Sequence, residues 1–335
     1  EKGGGNEMLE QAKANGLEGR GIPMSGPLDV RALIALSRLI REEGVDLLCA
    51  HGYKSTVMGW LAAKRAGIPV ISFSRGYTAE DRMVAFYEWV ERRVLGRVDG
   101  VVAVSDGQRK KLEGMGVKAR RYWTVHNAVS INSRAVGSEE KIRKEVFARL
   151  GVPEGSIMVV SAGRLSPEKG HKDLVEAISM LNGSAGRAVF VFCGDGALRK
   201  ELEAHAARLS VDKQCRFVGF RKDINDIFKA MDLLVLPSLT EGLPNVVLEA
   251  FSNAKPVVAT SVGGVPELVE DGVSGILVPK ERPDLLAGAI SKCLSSADMR
   301  MAMGLAGYRK VSSEFTFEQQ TRRLEGIYGE VLGLN

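Results

Sequence analysis

The chain has 335 residues, 45% of them hydrophobic and 26% charged, a soluble, globular balance with enough length for two ordinary domains. No apolar stretch approaches the roughly 18 residues of a membrane span and no signal-peptide pattern is present. Four scattered cysteines (Cys49, Cys193, Cys215 and Cys293), none in a Cys-x-x-Cys pair, offer no zinc site and fit the reduced, mostly buried thiols of a cytoplasmic protein. The formal charge is +5, and residues 1–130 hold 20 Lys/Arg against 15 Asp/Glu while the remainder holds 26 of each. Without a concentrated basic stripe interleaved with aromatics, that excess argues against nucleic acid as a partner. It leaves either an ordinary solvated surface or attraction of an anionic acceptor or membrane face.

The chain opens on Gly3-Gly4-Gly5 and enters a helix-like stretch at 7–14 with no buried strand before it. Short apolar runs then alternate with helical periodicity, the pattern of parallel sheets covered by helices on both faces. Strands are expected at 46–50, 69–73, 100–104 and 122–125, and helices at about 29–43, 54–66, 79–95 and 107–115. His51 ends the first strand, where it either orients a substrate or packs as a strand-end histidine. Ser72, Ser74 and Arg75 end the second; arginine cannot accept a proton near neutral pH, but it can bind phosphate or an anionic acceptor. Residues 82–97 place Met83, Phe86, Tyr87, Val90 and Val94 at helical spacing beside Trp89, Arg92, Arg93 and Arg97. Such a helix either packs on the sheet or lies on a membrane surface. Residues 132–155 read as a connector with its own helix, which divides the chain into 1–130 and 131–314.

The second part repeats the scheme, with strands expected at 157–162, 188–193, 215–218, 233–236 and 256–260. Gly163-Arg164-Leu165-Ser166-Pro167-Glu168-Lys169-Gly170 leaves the first of these and enters a helix. Arg164 and Lys169 flank that loop and could converge on one diphosphate, arginine as a planar fork and lysine as a movable point charge. The run is not a Walker A loop, and alone it equally describes two surface cations. Phe220 and Arg221 follow Gly219 at another strand end, where a base could rest. Gly194-Asp195-Gly196 and Gly263-Gly264-Val265-Pro266-Glu267 mark two more.

Glu241 and Glu249 lie eight residues apart, one in the loop after 233–236 and one in the next helix, whose first turn suits Pro244. A ligand over that helix N-terminus would meet both acids and free backbone N–H donors. Acids there accept hydrogen bonds from hydroxyls, so a phosphorylated, polyhydroxylated ligand such as a nucleotide sugar fits. The alternative is a turn acid and a solvated helix residue. Two doubly wound units with a cleft between them follow, and such folds bind ligands beyond the carboxyl ends of their strands.

In combination these motifs resemble the retaining glycosyltransferases of the GT-B fold, the large family 4 or glycosyl transferases group 1. The resemblance is strongest over 157–279 and weaker over 44–130. It implies an α/β architecture of two doubly wound Rossmann-like domains facing across a cleft. It also implies transfer of a sugar from a nucleoside diphosphate sugar, UDP- or GDP-linked, to a hydroxyl acceptor without metal or other cofactor. Carried over, Arg164 and Lys169, with Gly163, hold the donor diphosphate, while Glu241 faces the donor sugar and Glu249 takes ribose hydroxyls. Backbone at Gly242, Leu243, Pro244 and Asn245 cradles sugar and phosphate, and Phe220 and Arg221 border the base.

There are departures from the family pattern. Its first strand and glycine loop are missing, so the sequence is expected to lack the start of the unit. Many relatives have a histidine where Arg75 stands, which makes Ser72, Ser74 and Arg75 candidates for acceptor or interdomain contacts; His51, at the cleft edge, is a further candidate. His126-Asn127 stands where relatives have Pro-Asn at the hinge, and a terminal helix from 315 is expected to cross back and complete the first domain (315–335). Bacterial relatives glycosylate lipopolysaccharide, capsule or lipid-linked intermediates, which implies a glycan or lipid-linked acceptor and a cytoplasmic enzyme in peripheral contact with the inner membrane face. A nucleotide-sugar 2-epimerase of the same fold and a non-catalytic nucleotide-sugar binding protein are the alternatives.

Overall fold

The computed structural model describes residues 7–26, 29–76, 82–131, 138–181 and 186–334. The first part runs α1 (Glu7–Ala14), α2 (Val30–Glu42), β1 (Leu48–His51), α3 (Tyr53–Ala66), β2 (Val70–Ser74), α4 (Arg82–Leu95), β3 (Gly100–Ala103), α5 (Asp106–Gly114) and β4 (Tyr122–Thr124). The second part begins with α6 (Ser138–Leu150), β5 (Ile157–Ala162), α7 (His171–Met180), β6 (Ala188–Cys193), α8 (Arg199–Arg208), β7 (Cys215–Gly219), α9 (Ile224–Ala230) and β8 (Leu233–Leu236). It continues with α10 (Asn245–Ser252), β9 (Val257–Thr260), α11 (Val265–Leu268), β10 (Gly275–Val278), α12 (Pro283–Ser295), α13 (Ala297–Glu314) and α14 (Phe317–Leu332). The expected opening at 3–5, the helix start at 79–81 and the connector positions 132–137 lie outside the described residues.

Each expected strand is present, within two residues of its expected ends. Strands such as β2 (Val-Ile-Ser-Phe-Ser) and β6 (Ala-Val-Phe-Val-Phe-Cys) are buried at every position, as parallel strands sandwiched between helix layers must be. Helix starts follow their caps: Asp29 accepts from the N–H groups of Arg31 and Ala32, Ser105 from Gln108, and Thr316 from Gln319. Two expectations need correction. Pro244 is the N-cap of α10 rather than a residue of its first turn. A sixth strand, β10, was not expected at all; it is a four-residue edge strand with a half-buried centre, too short for periodicity to announce.

Two all-parallel sheets form, ordered β1-β2-β3-β4 and β10-β9-β8-β5-β6-β7. They belong to two Rossmann-like α/β lobes facing across a cleft. In the larger sheet the chain builds outward from β5 in one direction, then returns to add β8 on its other side. Strand order therefore reverses between β5 and β8, and the loops leaving these two strands diverge around a crevice.

The chain then returns to the first lobe. Leu324, Ile327, Tyr328 and Val331 form one stripe of α14 at helical spacing and pack against Ile71, Phe73, Val102 and Val125. Arg323 Nε donates to the Thr124 carbonyl at 2.7 Å and Trp123 Nε1 to Glu330 at 3.0 Å, which fixes the register of the crossing. Ile327 is buried at the centre of this contact. Ile327→Ala should cost about 2–5 kcal/mol in a urea unfolding titration, whereas an unchanged midpoint would show that α14 is a loosely attached tail.

Candidate functional site

The site grows from the two loops at the reversal of strand order. After β5 the chain passes Gly163, makes a 3-10 turn over Pro167–Lys169 and starts α7. Gly170 joins turn and helix with φ +63°, and a Cβ there would stand 2.0 Å from the Pro237 carbonyl oxygen. Only glycine permits so close an approach in that conformation. The Leu239 N–H donates to the Glu168 carbonyl at 2.8 Å, so the loop after β8 is stitched to the loop after β5.

That stitching delivers Lys169 Nζ to 2.7 Å from Glu241 Oε1, which also accepts from Ser238 Oγ at 2.7 Å. The Glu241 side chain is only 8% exposed, so its charge depends on these two donors. The structure thus brings Gly163, Lys169 and Glu241 together, with the lysine stem lying over Gly163. Arg164 opens the same loop and is exposed.

Past Glu241 the chain turns through Gly242, Leu243 and Pro244 into α10. Leu243 and Pro244 are buried, while Asn245 is exposed and its Oδ1 accepts from Asn127 Nδ2 at 2.8 Å. Asn127 also donates to the Leu243 carbonyl at 3.0 Å, so the segment linking the lobes grips this loop directly. Glu249 lies in α10, half-buried, and no hydrogen bond or ion pair engages its carboxylate among the described residues. Burial pushes its pKa up, since nothing compensates the desolvated charge. An unpaired, desolvated carboxylate one helical turn from a helix start is a ready acceptor for hydroxyl donors.

The other candidates are more dispersed. Phe220 stands 77% exposed at the end of β7, while Arg221 is folded back on Asp223 by two hydrogen bonds of 2.7 Å. In the first lobe His51 stacks on Phe73 with ring centroids 4.3 Å apart, and Arg75 Nη2 lies 3.4 Å from its Nδ1. Burial first, and the neighbouring guanidinium second, push the His51 pKa down, which favours its neutral form. The Ser74 hydroxyl is buried and takes a 3.0 Å bond from Gln108 Nε2, and Ser72 is paired with Thr56 at 2.7 Å. Arg75 presents its backbone carbonyl to Gly242, so the strand end and the donor-side loop touch through main chain.

Several residues at the meeting of the lobes were given no such role from the sequence. Lys111 Nζ donates to Thr240 Oγ1 at 3.2 Å, with burial pushing its pKa down, and Ser105 Oγ donates to the Gly242 carbonyl at 2.9 Å. Glu267 reaches α5 from the opposite lobe. The Ser105-Asp106-Gly107 cap after a buried strand was a legible signal for a helix start, but nothing local marks its partner.

Comparison with known proteins gives the family of the chain. The family model described as glycosyl transferases group 1 matches residues 142–310, half of the chain, and that of a glycosyl transferase 4-like domain matches residues 4–128. A UDP-Gal:alpha-D-GlcNAc-diphosphoundecaprenol alpha-1,3-galactosyltransferase of Escherichia coli is 25% identical over 309 residues, covering 90% of this chain and 79% of that protein. A D-inositol 3-phosphate glycosyltransferase of Saccharomonospora viridis is 28% identical over 313 residues, covering 86% and 70%. Among solved structures, Anabaena Alr3699/HepE in complex with UDP and glucose is similar with a TM-score of 0.83 and 25% identity, covering 97% of this chain and 88% of that one.

The first residue of α7, His171, lies beneath the Lys169 loop, buried and with no partner for Nδ1 among the described residues. Burial, with Lys169 beside it, pushes its pKa down to about 4 from 6.5. The native state therefore binds fewer protons than the unfolded chain between those values, and stability contributed by this site falls on acidification from pH 6.5 to about 4. The loss should reach about 3 kcal/mol, and in urea titrations His171→Leu should flatten this part of the stability profile. Identical pH dependence in wild type and variant would contradict the assignment.

Proposed function

The chain belongs to glycosyl transferases group 1 and takes a sugar from a nucleotide-sugar donor, and on that premise we propose that it is a retaining transferase using a UDP-sugar and a glycan or lipid-linked hydroxyl acceptor. The observation that carries the reading is the meeting of Lys169 and Glu241 at the reversal of strand order, in the loop that leads into the helix bearing the unpaired Glu249 carboxylate. UDP as the donor base is supported by the UDP complexes of Alr3699/HepE and by the UDP-Gal of the Escherichia coli relative's name. The diphosphoundecaprenol in that name supports a lipid-linked acceptor.

In this reading the donor diphosphate lies against Lys169 and Arg164, and the ribose hydroxyls donate to Glu249. Phe220, with Arg221 behind it, borders the base. Backbone N–H groups around Gly242–Asn245, at the start of α10, face the donor's anionic and hydroxyl groups. Charge grows on the departing diphosphate as the anomeric carbon–oxygen bond breaks. Cations placed there stabilise the transition state more than the bound donor. The acceptor oxygen enters on the same face, forms the new bond to the anomeric carbon and passes its proton to the departing phosphate oxygen. Glu241, held by Ser238, faces the reacting ring. Arg75, at the edge of the first lobe, suits an anionic group on the acceptor.

The outer face of α4 supports membrane contact. Phe86 and Trp89 are exposed and stacked at 6.1 Å, and the Arg93 guanidinium lies 4.8 Å from the Trp89 ring. Aromatic rings flanked by arginine suit the interface of an anionic bilayer. Among the described residues no helix is long and apolar enough to cross a membrane. Phe86→Ser with Trp89→Ser should abolish co-sedimentation with anionic vesicles while leaving soluble yield intact; undiminished binding would remove α4 from the contact.

Incubation with UDP-, GDP- and ADP-sugars, with and without a lipid-linked acceptor, tests the main reading. Acceptor-dependent release of UDP is expected. Conversion of the donor sugar without acceptor would instead indicate an epimerase, and binding without turnover a non-catalytic protein. Lys169→Ala should lower kcat by about 10²–10³-fold, the scale of losing one transition-state charge partner. Undiminished turnover in that variant would refute the role given to Lys169.

A further inference from the structure

The first turn of α5 is the joint between the lobes. Its cap, Ser105, accepts from the Gln108 N–H at 3.0 Å and donates to the Gly242 carbonyl at 2.9 Å. The N–H groups of Asp106 and Gly107 find no carbonyl within their own helix, as at any helix start. Both are taken by Glu267 of the opposite lobe, Asp106 N–H to Oε2 at 3.0 Å and Gly107 N–H to Oε1 at 2.8 Å. His126 Nε2, on the segment that links the lobes, lies 2.9 Å from the same Oε2. Gly107 permits the approach, since a Cβ there would stand 2.4 Å from the Gly263 carbonyl oxygen. Onward from this turn, Gln108 holds Ser74 beside Arg75, and Lys111 reaches Thr240.

We propose that Glu267 is a positioning residue: by capping α5 from the opposite lobe, it locks the donor-side loop 240–245 against the strand end at 74–75 in the closed arrangement that transfer requires. This rests on the transferase reading above and extends it to a residue outside the donor pocket. A carboxylate at a helix N-terminus gains from the helix dipole and from two charge-assisted hydrogen bonds. The gain is large enough to bias a two-state closure and small enough for the cleft to reopen. Arg164, Lys169, Glu241 and Glu249 all belong to one lobe, so the latch acts on transfer rather than on donor capture. Opening the cleft also admits water, which competes with the acceptor for the donor sugar.

The test compares wild type with Glu267→Ala, Glu267→Gln and Gly107→Ala by small-angle scattering, calorimetric titration with UDP, and steady-state transfer from the UDP-sugar that the wild type uses. Gly107→Ala wedges the same contact from the other lobe while favouring the helix, so it guards against a Glu267 variant that misfolds. Glu267→Ala and Gly107→Ala should both increase the radius of gyration, hold the Kd for UDP within about threefold and lower kcat about tenfold at unchanged donor KM, the range expected for losing a charged helix cap. Donor hydrolysis should rise relative to transfer. Glu267→Gln keeps one acceptor oxygen and should recover part of kcat. Wild-type scattering in both Glu267→Ala and Gly107→Ala overturns the proposal, as does an equal loss of UDP affinity and kcat. Absence of wild-type turnover with every UDP-sugar would defeat the transferase reading, and the scattering comparison would still decide whether Glu267 holds the lobes together.

Discussion

The Lys169–Glu241 ion pair is the contact on which the account of this molecule rests. Its two members are 72 residues apart and meet only because β8 is laid beside β5 after the chain has built β6 and β7. The glutamate is almost fully withdrawn from water, so its lysine and serine donors are what make an ionised carboxylate tolerable there. Removing one partner of such a pair strands the other's charge, a cost far above that of an exposed ion pair. The backbone bond from Leu239 to Glu168 and the obligatory glycine at 170 follow from the same demand, since they hold the two loops at the separation that the pair needs.

The same arrangement suits the proposed reaction, in which Lys169 would meet the charge of a departing diphosphate. Lys169 already has an anionic partner, and its flexible stem can turn toward a second one as charge develops on a departing phosphate. Glu241 would keep Ser238 while the lysine moves. Glu249 would play the complementary part: left without a donor, it carries an uncompensated desolvation that hydroxyls of a bound ligand would relieve. One acid is satisfied and the other is not, and in the proposed reading that asymmetry would favour a single orientation of the nucleotide sugar along the cleft.

Much of this was legible in the amino-acid order because the physics is local. Strands buried on both faces must be continuous apolar runs, so β5, β6 and β8 were readable to the residue, and glycine at the strand ends marked the loops. The pairing of Glu241 with the loop after β5 was readable only through family resemblance, since no periodicity records that strand order reverses between β5 and β8. Of the contacts between the lobes, the return of the terminal helix and the strand end at Arg75 were readable through the resemblance, but the Glu267 contact was not. Glu267 and Gly107 lie 160 residues apart, and a carboxylate that caps a foreign helix looks like any other surface acid. Arg221 was named from the sequence, but its pairing was not: Asp223, two residues on, competes for its guanidinium, and only coordinates show which partner prevails. Short β10, half-buried at a sheet edge, fell below the length at which a strand pattern separates from a turn.

The central claim is that nucleotide, diphosphate and sugar all lie against one lobe, spanning Lys169 to Glu249. Diffraction from crystals grown with a non-transferable UDP-sugar analogue addresses it most directly. The account predicts diphosphate oxygens within hydrogen-bond distance of Lys169 Nζ and the Arg164 guanidinium, with ribose hydroxyls donating to Glu249. A nucleotide seated elsewhere, or a ribose that leaves the Glu249 carboxylate untouched, would contradict it.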